Sequence, residues 1–198
     1  MLEAQPIDIN KLEKIRTSWL PAVEFLFGEA VNEAEFVGFE LRDDTQTPST
    51  AFNHATRPFA YTIHIPQKSL SNDVLLLADI MHELCHGLFP LGYEGHTKER
   101  KTTVLCEGAA IYASVVALRQ VFGDECVDEY LNVLSEQAFS YYDAFSYVAT
   151  LLSDDPKAIK KLRVLRPFLQ DVQKPDFALA DVNADVKIKD ILLMTFRP

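Results

Sequence analysis

The segment DVLLLADIMHELCHGL, residues 73–88, carries apolar residues at helical spacing between clear helix signals. Ser71 or Asn72 can cap its start, and Pro90 and Gly92 stop it. Toward its end stand His82, Glu83 and His86, in the order His-Glu-x-x-His. A helix turns about 100° per residue, so His82 and His86 lie roughly 40° apart, one turn above the other. Their imidazoles can therefore reach one ion from the same side. Glu83 is roughly 60° from His86. It is poorly placed to ligate that ion and well placed to meet a water held by it. This is the geometry of a zinc site with a general base.

A catalytic zinc takes three protein ligands and keeps a fourth position open. Downstream, the carboxylates and imidazole of Glu94, His96, Glu99 and Glu107 are candidates. A third histidine six residues after His86 is absent, because position 92 is glycine. Glu107 is the best choice. It lies in LCEGAAIY, residues 105–112, within a second apolar helix expected from about Thr97 to Phe122 with Gly123 beyond its end. A lone carboxylate in such a run is costly to bury without a partner, and a zinc ion is such a partner. Small Gly108 and Ala110 are expected to let this helix approach the His-Glu-x-x-His helix closely. Two neutral histidines, one carboxylate and a hydroxide balance a divalent ion.

His82-Glu83-x-x-His86 followed after a 20-residue spacer by Glu107-Gly108-x-Ala110-x-Tyr112 resembles the gluzincin metallopeptidases. A further match, Tyr141-x-x-Ala144-x-Ser146-x-Val148, is similar to the tyrosine helix of small peptidase-MA-like domains. The resemblance spans about residues 60–165. It implies a zincin-like fold and a zinc peptidase in which Tyr141 stabilises the oxyanion beside Glu83 as base. Tyr142, about 100° round the same helix, is the alternative tyrosine. No GAMEN-like run is present, and position 111 is isoleucine where the thermolysin branch has an aspartate. Asp79, one turn before His82, is a candidate to orient a ligand histidine or a surface residue. Cys85 and Cys106, beside proposed ligands, read as core residues.

Upstream, residues 59–65 (FAYTIHI) alternate as a strand, with Tyr61, Ile63 and Ile65 on one face and Thr62 and His64 on the other. Pro58 and Pro66 bound it and suggest an edge position. In the related fold an edge strand lies above the zinc, where His64 could point; the alternative is a solvated histidine. Residues 35–42 (EFVGFELR) form another strand, and 43–50 (DDTQTPST) a polar connection. Asp8 is expected to cap a helix over Ile9–Trp19 that Pro21 ends or kinks. Downstream, Asp124 caps a third helix that can continue, bent, to Leu152. Asp155-Pro156 opens a fourth. The tail from Gln173 is ambiguous. The expectation is one α+β unit over 1–198: a mainly sheet-forming region to residue 70, a helical region to 170, and a tail of uncertain structure.

Composition narrows the function classes. With 48% hydrophobic and 24% charged residues the 198-residue chain is an ordinary globular protein rather than a disordered one. Lysine and arginine number 19 against 29 aspartate and glutamate, a net charge of −10. That balance argues against nucleic acid and anionic membranes as partners. Three cysteines without a CxxC pair do not make a disulfide framework. No basic-then-apolar leader is visible, and no apolar stretch is expected to reach the roughly 20 residues of a membrane span. The expected setting is the reducing cytoplasm. The expected function is zinc-dependent hydrolysis of peptide or protein substrates. The alternatives are a non-catalytic metal-binding or interaction module, and a zinc hydrolase acting on another amide.

Overall fold

The computed structural model describes residues 6–52, 57–94 and 98–198. The order of elements is α1 (Pro6–Phe27), β1 (Glu35–Arg42), β2 (Ser49–Phe52), β3 (Ala60–Pro66), α2 (Asp73–Leu88), β4 (Tyr93–Glu94), β5 (Lys98–Glu99), α3 (Val104–Phe122), α4 (Asp124–Gln137), α5 (Phe139–Asp154), α6 (Ala158–Leu165), α7 (Lys174–Leu179) and α8 (Val186–Leu192). The architecture is α+β. A three-stranded mixed sheet has the order β1-β3-β2, with β1 parallel and β2 antiparallel to β3.

β3 is thus the central strand, not an edge. Its prolines sit at or beyond its ends, so no donor is lost from the middle of the ladder. Tyr61, Ile63 and Ile65 are buried and form one face of the sheet. The Tyr61 ring comes so close to α2 that a Cβ at Gly87 would lie 2.3 Å from its hydroxyl. Behind α2 lies α3, and behind α3 lies α5. This stack is continuous with the main core, in which Ile80, Leu84, Leu105, Ala109, Val148 and Leu151 are almost wholly buried.

Several boundaries differ from the sequence reading, each for a physical reason. α1 begins at Pro6, so Asp8 lies inside its first turn, and the helix runs through Pro21. An interior proline costs about 3 kcal/mol. Burying Val23 and Phe27 beyond it returns roughly 1.5–3 kcal/mol each. Residues 49–52, read partly as a connection, form strand β2. α4 and α5 are separate helices, because Ala138 leaves helical geometry (φ −145°, ψ 53°). Asp155 accepts a hydrogen bond from the Lys157 amide, which delays α6 to Ala158. The tail is ordered: it forms α7 and α8, then pairs with the start of α3 through Thr103 and Thr195.

α3 also exceeds the expectation for apolar stretches. By length and composition alone this helix of 19 residues could cross a membrane, but 67% of that span is buried inside the protein. A helix packed on several sides is apolar nearly all round.

Candidate metal centre

α2 supplies two candidate ligands. The Asn72 side chain caps it by accepting from the Leu75 amide at 3.1 Å. Leu76, Leu77, Ile80, Met81, Leu84 and Leu88 are buried, which fixes the helix rotation. His82 and His86 are then left side by side at the margin of the core, with Nε2 atoms 3.1 Å apart.

α3 supplies the third candidate. Thr103 caps it by accepting from the Cys106 amide. Glu107 follows one turn later and is 7% exposed. The two helices meet through Ser114, whose hydroxyl donates to the Ala78 carbonyl at 2.8 Å. Gly108 has a different role from the one expected. It faces α5, where a Cβ would lie 2.3 Å from the Ala144 carbonyl oxygen. The missing side chain brings in the helix that carries Tyr141, rather than the one that carries the histidines.

His82, His86 and Glu107 therefore offer three ligand atoms, all within 4.8 Å of one another. Glu107 Oε2 lies 3.3 Å from His82 Nε2, and Oε1 lies 3.5 Å from His86 Nε2. Nitrogen and oxygen ligands about 2.1 Å from a tetrahedral ion are roughly 3.4 Å apart. The three separations bracket that edge, so the group could hold a metal ion. Without one, the electrostatics favour an ion pair. Burial opposes charge on both partners, yet Glu107 raises the His86 pKa to about 9. Reciprocally, the two imidazoles hold the Glu107 carboxyl far below the usual range despite its burial.

Glu83 and Tyr141 line the same cleft, a space of about 170 Å³. Glu83 is 2% exposed, and its Oε2 accepts from the Thr50 hydroxyl at 2.5 Å. The Tyr141 ring sits edge-on to His82, with centroids 6.2 Å apart, and is backed by Phe196 at 4.7 Å. Burial, then Glu107 and Glu83, push the Tyr141 pKa up to about 12. Tyr142 points elsewhere, against Phe139. Tyr112 stacks on Phe145, both partly buried against the core.

Other candidates lie apart from the cluster or have partners of their own. His64 Nε2 is 3.3 Å from Glu40 Oε2, on the β1 side of the sheet. The strand over the cleft is β2. Asp79 accepts from the Ser69 hydroxyl at 2.6 Å, and burial raises its pKa to about 6. It lines a second space of about 240 Å³, mostly apolar, which adjoins the cleft at His82 and Tyr141. Cys85 and Cys106 are fully buried, and burial pushes both thiols up. The alternatives Glu94, His96 and Glu99 fall outside the described residues and side chains.

Thr50 and Phe196 went unrecognised in the sequence. Thr50 was hidden in a polar run, although Thr50 and Phe52 alternate with Ser49 and Ala51 as a short strand does. Phe196 gave no local signal, since its role depends on where the tail docks. Larger clefts of about 440 Å³ beside Arg163 and 570 Å³ beside Met194 hold no comparable ligand cluster among the described residues. Compared with protein-family models, curated proteins and solved structures, the chain gives no significant match.

Proposed function

We propose that this chain is a zinc-dependent peptidase of zincin-like fold, with the gluzincin ligand set His82, His86 and Glu107. The observation that carries this reading is the convergence of those three side chains within 4.8 Å on a cleft that also holds Glu83 and Tyr141. The donor set suits zinc: two imidazole nitrogens and one carboxylate at tetrahedral spacing. When bound, zinc supplies a Lewis acid that polarises a carbonyl and brings the pKa of water toward about 7.

The remaining chemistry belongs to the protein. Glu83 uses Oε1, the oxygen not held by Thr50, to take a proton from the attacking water and then passes it to the leaving nitrogen. Tyr141 remains a phenol at neutral pH, since its pKa is about 12, and donates to the oxyanion as it forms. The adjoining apolar space accepts a side chain flanking the scissile amide. A structural metal site has no need of a base, so Glu83 favours catalysis over a binding module.

Elemental analysis and a quenched-fluorescence peptide mixture test the proposal. One zinc per chain and hydrolysis abolished by a chelator are expected. Zinc without hydrolysis would favour the binding module, and failure to bind zinc after soaking would overturn both. The Glu83→Gln variant should keep its zinc and lose about 10²–10⁴-fold in kcat.

A further inference from the structure

Thr50 stands where the sheet pattern calls for an apolar side chain. Its register partner is Ile63, fully buried on the face turned to α2. Side chains directly opposite in a ladder share a face, so Thr50 also turns toward α2, at the outer strand of the sheet. There its hydroxyl meets Glu83 Oε2 at 2.5 Å. A buried carboxylate requires a donor, and a valine of the same shape would supply none.

We propose that Thr50 is a positioning residue for the base, an inference that rests on the hydrolytic reading of the site. A carboxylate is free to rotate about its last bond. Fixing Oε2 to a hydroxyl on a paired strand fixes Oε1 as well, and directs it toward the corner enclosed by His82, His86 and Glu107. The strand matters as much as the hydroxyl. Antiparallel pairing of Ser49–Phe52 with Tyr61–His64 holds Thr50 at a constant height above α2. The base is thereby set by a residue 33 positions earlier in the chain, on a different element.

Zinc-loaded full-length protein carrying Thr50→Val, Thr50→Ser or Thr50→Ala tests this against the quenched peptide mixture and by crystallography. Zinc should remain at one per chain in all three. Removing a group that orients a site residue costs about 10–100-fold. Thr50→Val and Thr50→Ala should lose that much in kcat with KM changed less than about threefold, and Thr50→Ser should stay within about threefold of the parent. In the Thr50→Val crystal structure the Glu83 carboxylate should leave its parental orientation. An unmoved carboxylate, an undiminished kcat in Thr50→Val, a Thr50→Ser variant as slow as Thr50→Val, or loss of zinc would each overturn the proposal. If the parent protein binds zinc but cleaves nothing, the peptidase reading fails and the role of Thr50 toward a base falls with it, whereas active parent protein with an unmoved carboxylate in Thr50→Val overturns the positioning alone.

Discussion

A glutamate that is only 7% exposed, its carboxylate held between two imidazoles, has few stable states. Glu107 is either paired with a protonated histidine or bound to a cation. Glu107→Gln preserves its shape and removes the charge. Zinc affinity should fall at least 100-fold, read by competition with a chelating dye. Gly108, next in the chain, faces a different constraint. Adding a methyl group there forces a Cβ to within 2.3 Å of a backbone oxygen that cannot rotate away. Gly108→Ala should destabilise the fold by about 1–3 kcal/mol in denaturant titration. Its effect on zinc binding should be smaller than its effect on turnover, because the helix displaced carries Tyr141 rather than a ligand.

Among the elements, the tail is a structural member rather than an appendage. The Val104 amide donates to the Met194 carbonyl and the Phe196 amide to the Thr102 carbonyl, which ties residues 194–196 to the start of α3. Phe196 then backs the Tyr141 ring. Phe196→Ala should lower kcat on the peptide mixture and destabilise the chain by roughly 2–4 kcal/mol, checked by thermal melts. Legibility of the sequence divides along the same line. α2 and the central stretch of α3 could be read directly, because apolar period, caps and ligand spacing are local properties. So could the pairing of His82 with His86, which one helical turn dictates. The reach of Glu107, the central position of β3 and the facing of Gly108 depend on contacts between distant segments. β2 was missed because four residues are too short to outweigh a polar neighbourhood. α1 runs past the stop that Pro21 signals locally, because the burial of Val23 and Phe27 depends on distant partners.

For the molecule as a whole, the cluster of His82, His86 and Glu107 couples protonation to stability. In the metal-free fold His86 titrates at about 9, above the roughly 6.5 of an unfolded histidine. The folded state therefore keeps a proton that the unfolded state releases first. This stabilisation is complete below about pH 6.5 and is lost as the pH rises through 9. Glu107 acts at the other end: its depressed pKa stabilises the fold above the ordinary carboxylate range and that contribution is lost on acidification. Metal-free protein should lose about 1–3 kcal/mol between pH 6.5 and 9.5 in urea titrations. Zinc must displace the His86 proton, so its affinity should rise by up to about tenfold per pH unit between pH 7 and 9. Calorimetry at pH 7.5 in buffers of different ionisation enthalpy should count about one proton released per ion.

The cleft, its support and its candidate ligands draw on Thr50, His82, Glu83, His86, Glu107, Tyr141 and Phe196, scattered across most of the chain. No short proteolytic piece can inherit the whole arrangement. In a nascent polypeptide His82, His86 and Glu107 are all present before residue 196 arrives to pin the start of α3 and brace the tyrosine. If the proposed hydrolysis holds, it would stay slow until this distal strap has docked, so the last residues to be made would set the pace of maturation.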